Sequence, residues 1–577
     1  MRKIVLLLLC AAGSMHLEAQ PAAMDTTLVR LLKSIDLFQA GETRLDSIAG
    51  HPLGNHYKAD LLRRYNFYVG IYADLYDFEP RTYADSINTE LLKYDVKEEL
   101  SYWEYKMYLN PILADEGFHT GLAQMGNEHP ATKRDFERYT GRLKDMPRYV
   151  EEQLDYMRQG LAAGISQPKA ILVGFENTYT RHIVSDYTKS VFFKPFLTKP
   201  VSIPESEWPA IKAAGQAAVE QYAIPAYKSI QSFFDKEYLV KARTTIGVSH
   251  YPNGLDFYQD RVKHYTSTDM SYESVYQLGL NEVARIKKEM LEVMSDIHFK
   301  GSLPDLIAWL RKAPQFYATT PEQLLKEASY IAKKADGMLP AFFGKLPRQP
   351  YGVEPVPEHL APTYTAGRYA GASIFGKNAA HYWVNTYDLE SRPFYNLEAL
   401  TMHEAVPGHH LQLALAQELS ELPPFRRNLY VNAFGEGWGL YAEWLGTEMG
   451  FYKDPYSHFG KLTYEMWRAC RLVIDVGLHT KGWTREQAVK YLSDNTALSL
   501  HEVNTEINRY ISWPGQALAY KIGELKIREL RKKAEVALKE KFDVREFHDL
   551  VLSQGSVTMK ILESIVERYI EGKRRKG

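Results

Sequence analysis

Apolar residues recur at three- and four-residue spacing through most of the chain, which is the pattern of helices with one buried face. In SYESVYQLGLNEVARIKKEMLEVMSDI (271–297) that spacing predicts a helix, with a serine in place to cap it. DFERYTGRLKDMPRYVEEQLDYMRQGLAAG (135–164) and PAIKAAGQAAVEQYAIPAYKSIQSFFDKEYL (209–239) follow the same rhythm, with kinks expected at their internal prolines. Neither an internal repeat nor a low-complexity tract interrupts them.

Two stretches break the helical period. Residues 344–389 are rich in Pro, Gly and aromatic side chains, and AHYWVNTYDL within them has the β-branched and aromatic content of a strand. A short sheet there would offer an edge to an extended peptide, though a wrapped surface loop fits the composition equally. ISWPGQALAY (511–520) reads as a turn between helices. The predicted fold is mainly α: a large helical bundle with a deep central cleft and a small antiparallel β-sheet. An N-terminal helical lobe over 20–240 and a second helical lobe over 241–577 are expected, because 577 residues usually divide into two or more lobes.

Composition changes this picture little. The chain is 45% hydrophobic and 24% charged, and 70 basic against 71 acidic side chains leave a net charge of −1. No global field draws it to nucleic acid or anionic membrane, and the terminal KRRKG reads as a solvated tail. Forty tyrosines suit either a groove for peptides or sugars, or ordinary helix packing. The N-terminus is more informative. Arg2 and Lys3 precede an apolar run from Ile4 to Gly13 and a polar stretch ending in Ala19, the layout of a signal peptide over residues 1–19. An exported protein, periplasmic or secreted, is therefore expected, with lipid attachment at Cys10 the lesser reading. Loss of that segment leaves Cys470 alone, so no internal disulfide is expected, and Cys470 reads as a buried helix residue.

The chemistry concentrates in TMHEAVPGHHLQ (401–412). Catalytic zinc takes three protein ligands and leaves a position open, and a nearby carboxylate can serve as general base. His403 and Glu404 supply a ligand and that base. A second imidazole normally follows one helical turn later, but Pro407 stands there, and His409 and His410 arrive at +6 and +7. On an uninterrupted helix neither would converge with His403. Pro407 and Gly408 suit a bulged turn that brings a histidine back. His409 requires the smaller distortion, and His410 is the alternative. Packed or solvent-facing histidines in a helical protein are the bland reading. A third ligand is sought downstream in NAFGEGWGLYAEWLG (432–446). There Glu436, flanked by glycines that permit close backbone approach, is the candidate. Glu443, seven residues on and on the same face, would orient a ligating histidine through its other ring nitrogen.

HEAVPGHHLQ, AFGEGWGLYAEWLG and NRYISWPGQALAYKIG resemble the signatures of domain-of-unknown-function family 885, over nearly the whole chain after the leader. That resemblance implies a gluzincin-type zinc peptidase fold. More distantly, EGWGLYAE is similar to a block of carboxypeptidase Taq, and INRYI (507–511) to a segment of angiotensin-converting enzyme. The second likeness implies Tyr510 as the donor to a tetrahedral oxyanion and His501 as a substrate-contacting histidine. Arg509 is a candidate for a substrate carboxylate or for pairing with Glu506. Gln516, Tyr520, Tyr382 and Asn385 are candidates for hydrogen bonds to substrate, the last two from an edge strand. The expected activity is that of an exported zinc metallopeptidase acting on short peptides, carboxypeptidase- or dipeptidase-like. A zinc hydrolase of another amide, such as a cell-wall peptide, and a non-catalytic helical peptide-binding protein are the rivals.

Overall fold

A computed structural model describes residues 24–358 and 360–575. The expected leader over 1–19 lies outside the described residues. The architecture is 70% helical with one three-stranded sheet. The elements that position the site are, in chain order, α1 (Tyr83–Glu104), α2 (Lys133–Ala163), α3 (Tyr272–Asp296), α4 (Pro321–Phe342), β1 (Tyr351–Pro355), β2 (Gly367–Ala370) and β3 (Ala380–Val384). There follow α5 (Leu397–Glu404), α6 (His409–Glu418), α7 (Pro424–Asn428), α8 (Asn432–Glu448), α9 (Pro455–Thr480), α10 (Leu500–Ser512), α11 (Ala519–Leu538), α12 (Val544–Leu552) and α13 (Met559–Arg575).

Local signals set many of these ends. Ser271 accepts from the Ser274 N–H and caps α3 within a residue of the predicted start. α2 opens on a reciprocal Thr132–Asp135 cap and closes at Gly164 in the left-handed region. Its Pro147 lies inside one continuous helix. In 209–239 the expected kink takes another form: a π-helical turn at Val219–Ala223 precedes Ile224–Phe233, where Pro225 has no N–H to give to a regular ladder. Of the terminal basic run, Lys573, Arg574 and Arg575 end α13; Lys573 reaches Glu546, and the two arginines are exposed to solvent.

The sheet is mixed, with strand order β1-β3-β2. β2 and β3 follow each other through a short loop and pair antiparallel, whereas β1 arrives from α4 and pairs parallel to β3. The small sheet expected from the sequence is present and antiparallel at β2–β3, but the parallel β1 makes it mixed, and β3 is its central strand and not an edge.

At the middle of the bundle lies α9, in which every residue from Phe459 to His479 is buried. α3 packs along it, and α8 packs along α11 where Gly437 faces Gly523. A Cβ on Gly523 would lie 1.9 Å from the Ala433 carbonyl oxygen, so only glycine admits this crossing. The main apolar core draws on both sides of residue 240, from Ile87 on α1 to Ile570 on α13. A cavity of about 1000 Å³ is lined by residues of α1, α11 and the start of α13, and contains none of the histidines of 401–412.

Candidate metal centre

The break in 401–412 is a full interruption of the helix, not a bulge within it. α5 ends at Glu404 and α6 starts at His409, with Ala405–Gly408 forming a tight turn. The His410 N–H reaches back to the Ala405 carbonyl at 3.1 Å, and the Trp438 indole donates to the Pro407 carbonyl at 2.8 Å. Gly408 is required because a Cβ there would sit 1.9 Å from the His403 carbonyl oxygen. The turn restarts the helix in a new direction and returns His409 toward His403. Their rings lie 4.7 Å apart at 90°.

α8 crosses beneath this turn. Gly439 leaves room for the His403 ring, since a Cβ would come within 2.6 Å of it. Glu436 then faces both imidazoles: its Oε2 is 3.7 Å from His403 Nε2 and 3.4 Å from His409 Nε2. The ligand atoms of these three residues all lie within 4.8 Å of one another. Such separations exceed an ordinary N–H···O bond of about 2.9 Å. They match the edge of a tetrahedron with metal–ligand bonds of about 2.0–2.1 Å, which is roughly 3.4 Å. The residues therefore fit a zinc-sized cation.

Electrostatics point the same way. Burial opposes charge on His403, but Glu436 and Glu443 outweigh it and raise its pKa to about 10. Burial likewise opposes ionisation of Glu436, and contact with the two histidines overrides it, holding the carboxyl well below its usual range. The pocket thus demands positive charge, which a bound cation would supply in place of protons.

Around this trio the other residues sort by contact. Glu443 accepts from His403 Nδ1 at 2.8 Å and from the buried Arg468 at 2.9 Å, so the imidazole is oriented with Nε2 toward Glu436. Glu404 projects from the end of α5 and accepts the Tyr369 backbone N–H at 2.7 Å. That N–H points away from β3, so β2 presents its open edge to Glu404. His410 faces elsewhere: its ring packs 4.5 Å from Tyr351 and 5.6 Å from Tyr369, and burial lowers its pKa to about 4.

Three of the predicted substrate residues form one network. Arg509 donates to Gln516 at 3.0 Å and to the Tyr520 hydroxyl at 3.2 Å, and it also meets Glu506 at 3.5 Å. Tyr520 lies nearly parallel to the His403 ring, 6.3 Å away. Tyr510 is one layer further out, its buried hydroxyl accepting from Trp467 at 2.7 Å and from Arg471 at 2.9 Å. The Arg471 guanidinium lies 4.0 Å over the Tyr520 ring, between the two tyrosines. His501 is exposed near the start of α10, and among the described residues its ring makes no contact with the cluster. Tyr382 and Asn385 are fully buried. Asn385 ties down the 361–365 loop by donating to the Ala361, Tyr364 and Thr365 carbonyls, and Tyr382 meets Thr401. Their expected contact with substrate is corrected: the central strand turns Tyr382 into the core, and Asn385, one residue past the end of that strand, is spent on the 361–365 loop.

Sequence reasoning missed Tyr430, whose hydroxyl donates to Glu436 Oε1 at 3.2 Å, and Tyr369 and Arg468. Gly435 held a signal for the first, since a Cβ there would lie 2.2 Å from the Tyr430 hydroxyl. Nothing local marks Arg468, one of several charges on a helix that reads as amphipathic.

Among solved structures the chain is similar to a "putative lipoprotein" from Colwellia psychrerythraea, at 30% identity and a TM-score of 0.82, covering 89% of this chain and 92% of that one. It also shares its fold with a "putative lipoprotein of unknown function" from Shewanella oneidensis, at 17% identity and a TM-score of 0.70, covering 95% of this chain and 100% of that one. No match was found among curated proteins. A family model matches residues 49–566, which include the interrupted helix, Glu436 and Glu443 of α8 and the Arg509–Tyr520 network, and the chain accordingly belongs to the bacterial protein family of unknown function DUF885.

Proposed function

We propose that this protein is an exported zinc-dependent hydrolase of short peptides, carboxypeptidase- or dipeptidase-like. The observation that carries the reading is the grouping of His403, His409 and Glu436 within 4.8 Å, with Glu404 next to His403 in the chain. Those three residues would hold the ion, which when bound supplies a Lewis acid that polarises a carbonyl and acidifies water. Glu404 is the general base. The Tyr369 N–H fixes one of its oxygens, leaving the other to take a proton from the attacking water. Glu443 and Arg468 hold His403 in one orientation. The oxyanion role passes from Tyr510 to Tyr520. Tyr520 accepts the Arg509 N–H and keeps its own proton for a carbonyl oxygen as charge develops there. The open edge of β2 offers backbone groups to an extended substrate.

No helix among the described residues is long and apolar enough to cross a membrane. Export, periplasmic or secreted, is supported by the leader-like residues 1–19. The lipoprotein descriptions of the two similar structures make anchoring through Cys10 the alternative form of export.

Two measurements test the reading. Protein purified without chelator should carry about one zinc per chain by mass spectrometry, and absence of stoichiometric metal would remove the proposal. A peptide library should be cut by wild type and about 10²–10⁴-fold more slowly by Glu404→Gln. Equal cutting by both would show that Glu404 is not the base.

A further inference from the structure

A cavity of about 280 Å³ lies beside the metal centre, between α6, α7 and the end of α12. It shares two residues with that centre: Tyr369, whose N–H holds Glu404, and Tyr430, whose hydroxyl donates to Glu436. Its volume is below the roughly 300–1,000 Å³ of sites for whole drug-sized ligands, which suits a chain end or a single side chain.

The charge in its wall comes from Arg426 and Arg427. Arg426 is 3% exposed, and its contacts are with neutral oxygens, Asn88 Oδ1 at 3.3 Å and the Gln554 carbonyl at 2.6 Å. Among the described residues neither arginine meets a carboxylate. Of the other buried arginines, Arg261 meets Glu98, Arg468 meets Glu443, Arg471 meets Glu506 and Arg531 meets Glu448, whereas Arg392 likewise meets no carboxylate. Burial without a counter-charge lowers the pKa of Arg426 to about 10. The Tyr369 hydroxyl, Gln412 Oε1 and the Nε atoms of both arginines are also buried without a hydrogen-bond partner. Keeping a guanidinium out of water with nothing opposite it is costly unless an anion completes the pair, and the planar fork of arginine is matched to a carboxylate.

We infer that this cavity is a substrate subsite that receives a carboxylate group of a peptide whose reacting bond lies at the metal centre. The inference rests on the peptide-hydrolase reading for the identity of the ligand. The carboxylate is either the C-terminus of the peptide or an Asp or Glu side chain, and the two sources are separable.

The test uses zinc-loaded Glu404→Gln protein and calorimetric binding of two peptide pairs. One pair differs only in a free acid against an amide at the C-terminus, the other only in Glu against Gln near it. The acidic member of one pair should bind at least about tenfold more tightly, as expected for a charge-assisted contact, and the pair that discriminates identifies the source. Adding Arg427→Gln should bring that ratio close to one while zinc content is unchanged. Arg426→Gln should do the same, and if it fails to fold, the partly exposed Arg427 decides the matter. Ratios near one for both pairs, or ratios that persist in the folded arginine variants, overturn the subsite. If the wild type cuts no peptide but the arginine-dependent ratio holds, the hydrolase reading falls, the cavity is a carboxylate-binding site, and its role as a substrate subsite is overturned. If peptides are cut without charge preference, the subsite alone falls.

Discussion

His403 is held at both ring nitrogens, Nδ1 by Glu443 at 2.8 Å and Nε2 facing Glu436 at 3.7 Å, with Gly439 beneath its ring. Removing the charge of the orienting carboxylate should therefore loosen the metal without removing a ligand. Glu443→Gln is expected to weaken zinc affinity about 10–100-fold, read by competition with a chelating dye, with the helical circular dichroism unchanged. Unaltered affinity would assign Glu443 to Arg468 alone. The adjacent histidines differ in what they face, His409 the carboxylate and His410 the rings of Tyr351 and Tyr369. His409→Ala should lose stoichiometric zinc, whereas His410→Ala should keep it and lose packing. The reverse outcome would exchange their roles. That one of the two would be returned toward the His403–Glu404 pair was legible in the sequence, because Pro407 and Gly408 break the helix between them. Which one depended on the path of four backbone residues, which no side-chain pattern records.

At the scale of elements, the site is built from a helix cut in two and a glycine-lined helix laid against the cut. Trp438 pins the turn through the Pro407 carbonyl, and Gly408 lets the turn close over the His403 carbonyl. Gly439→Ala places a methyl 2.6 Å from the His403 ring and must displace it. Zinc affinity should fall by at least about tenfold, while the overall helicity holds. Gly523→Ala acts on packing instead, since its Cβ would meet the Ala433 carbonyl where α8 and α11 cross. It should destabilise the fold by about 1–3 kcal/mol in urea unfolding, as overpacking does. A loss well under 1 kcal/mol would show that the two helices can part without strain. The ends of α3 and α2 and the 511–520 turn were legible because caps and Gly515, at φ +82°, act locally. The sheet was legible only as a strand at 380–384. Strand order depends on where α4 delivers β1, which is a tertiary matter.

Across the whole molecule, α9 is the axis, and it carries its charges into the core. Lys461 and Lys521 meet Glu465 at 2.7 and 2.9 Å, Lys521 also meets Glu524 and Glu282, and Arg285 closes on the same Glu465 oxygen as Lys521. Burial opposes ionisation of Glu465, yet these cations hold its carboxyl well below the usual range. A carboxyl whose pKa is depressed on folding contributes stability above its unfolded value and loses it as pH falls toward the folded one. Glu465 should thus add nothing to the pH dependence of the urea midpoint from about pH 8 to 5, and should add a decline below roughly pH 4.5. Glu465→Gln should flatten that decline and cost about 3–5 kcal/mol near neutrality, because it breaks a buried pair from one side. A variant as stable as wild type at pH 7 would mean that Glu524 and Glu282 suffice to balance Lys521.

The sequence by itself determined the features written in local spacing: helices with one apolar face, their caps, the leader-like start, and a His-Glu pair followed downstream by Glu436 and Glu443. These need only a few neighbouring residues to agree. The tertiary structure alone decided which imidazole faces Glu436, that β2 and not β3 borders the site, that Tyr520 and Tyr430 adjoin the cluster while Tyr510 stands behind Arg471, and that two arginines of α7 lack counter-charges. Each depends on how segments far apart in the chain are brought into contact, and the burial that gives these side chains their chemistry does not exist until the helices pack.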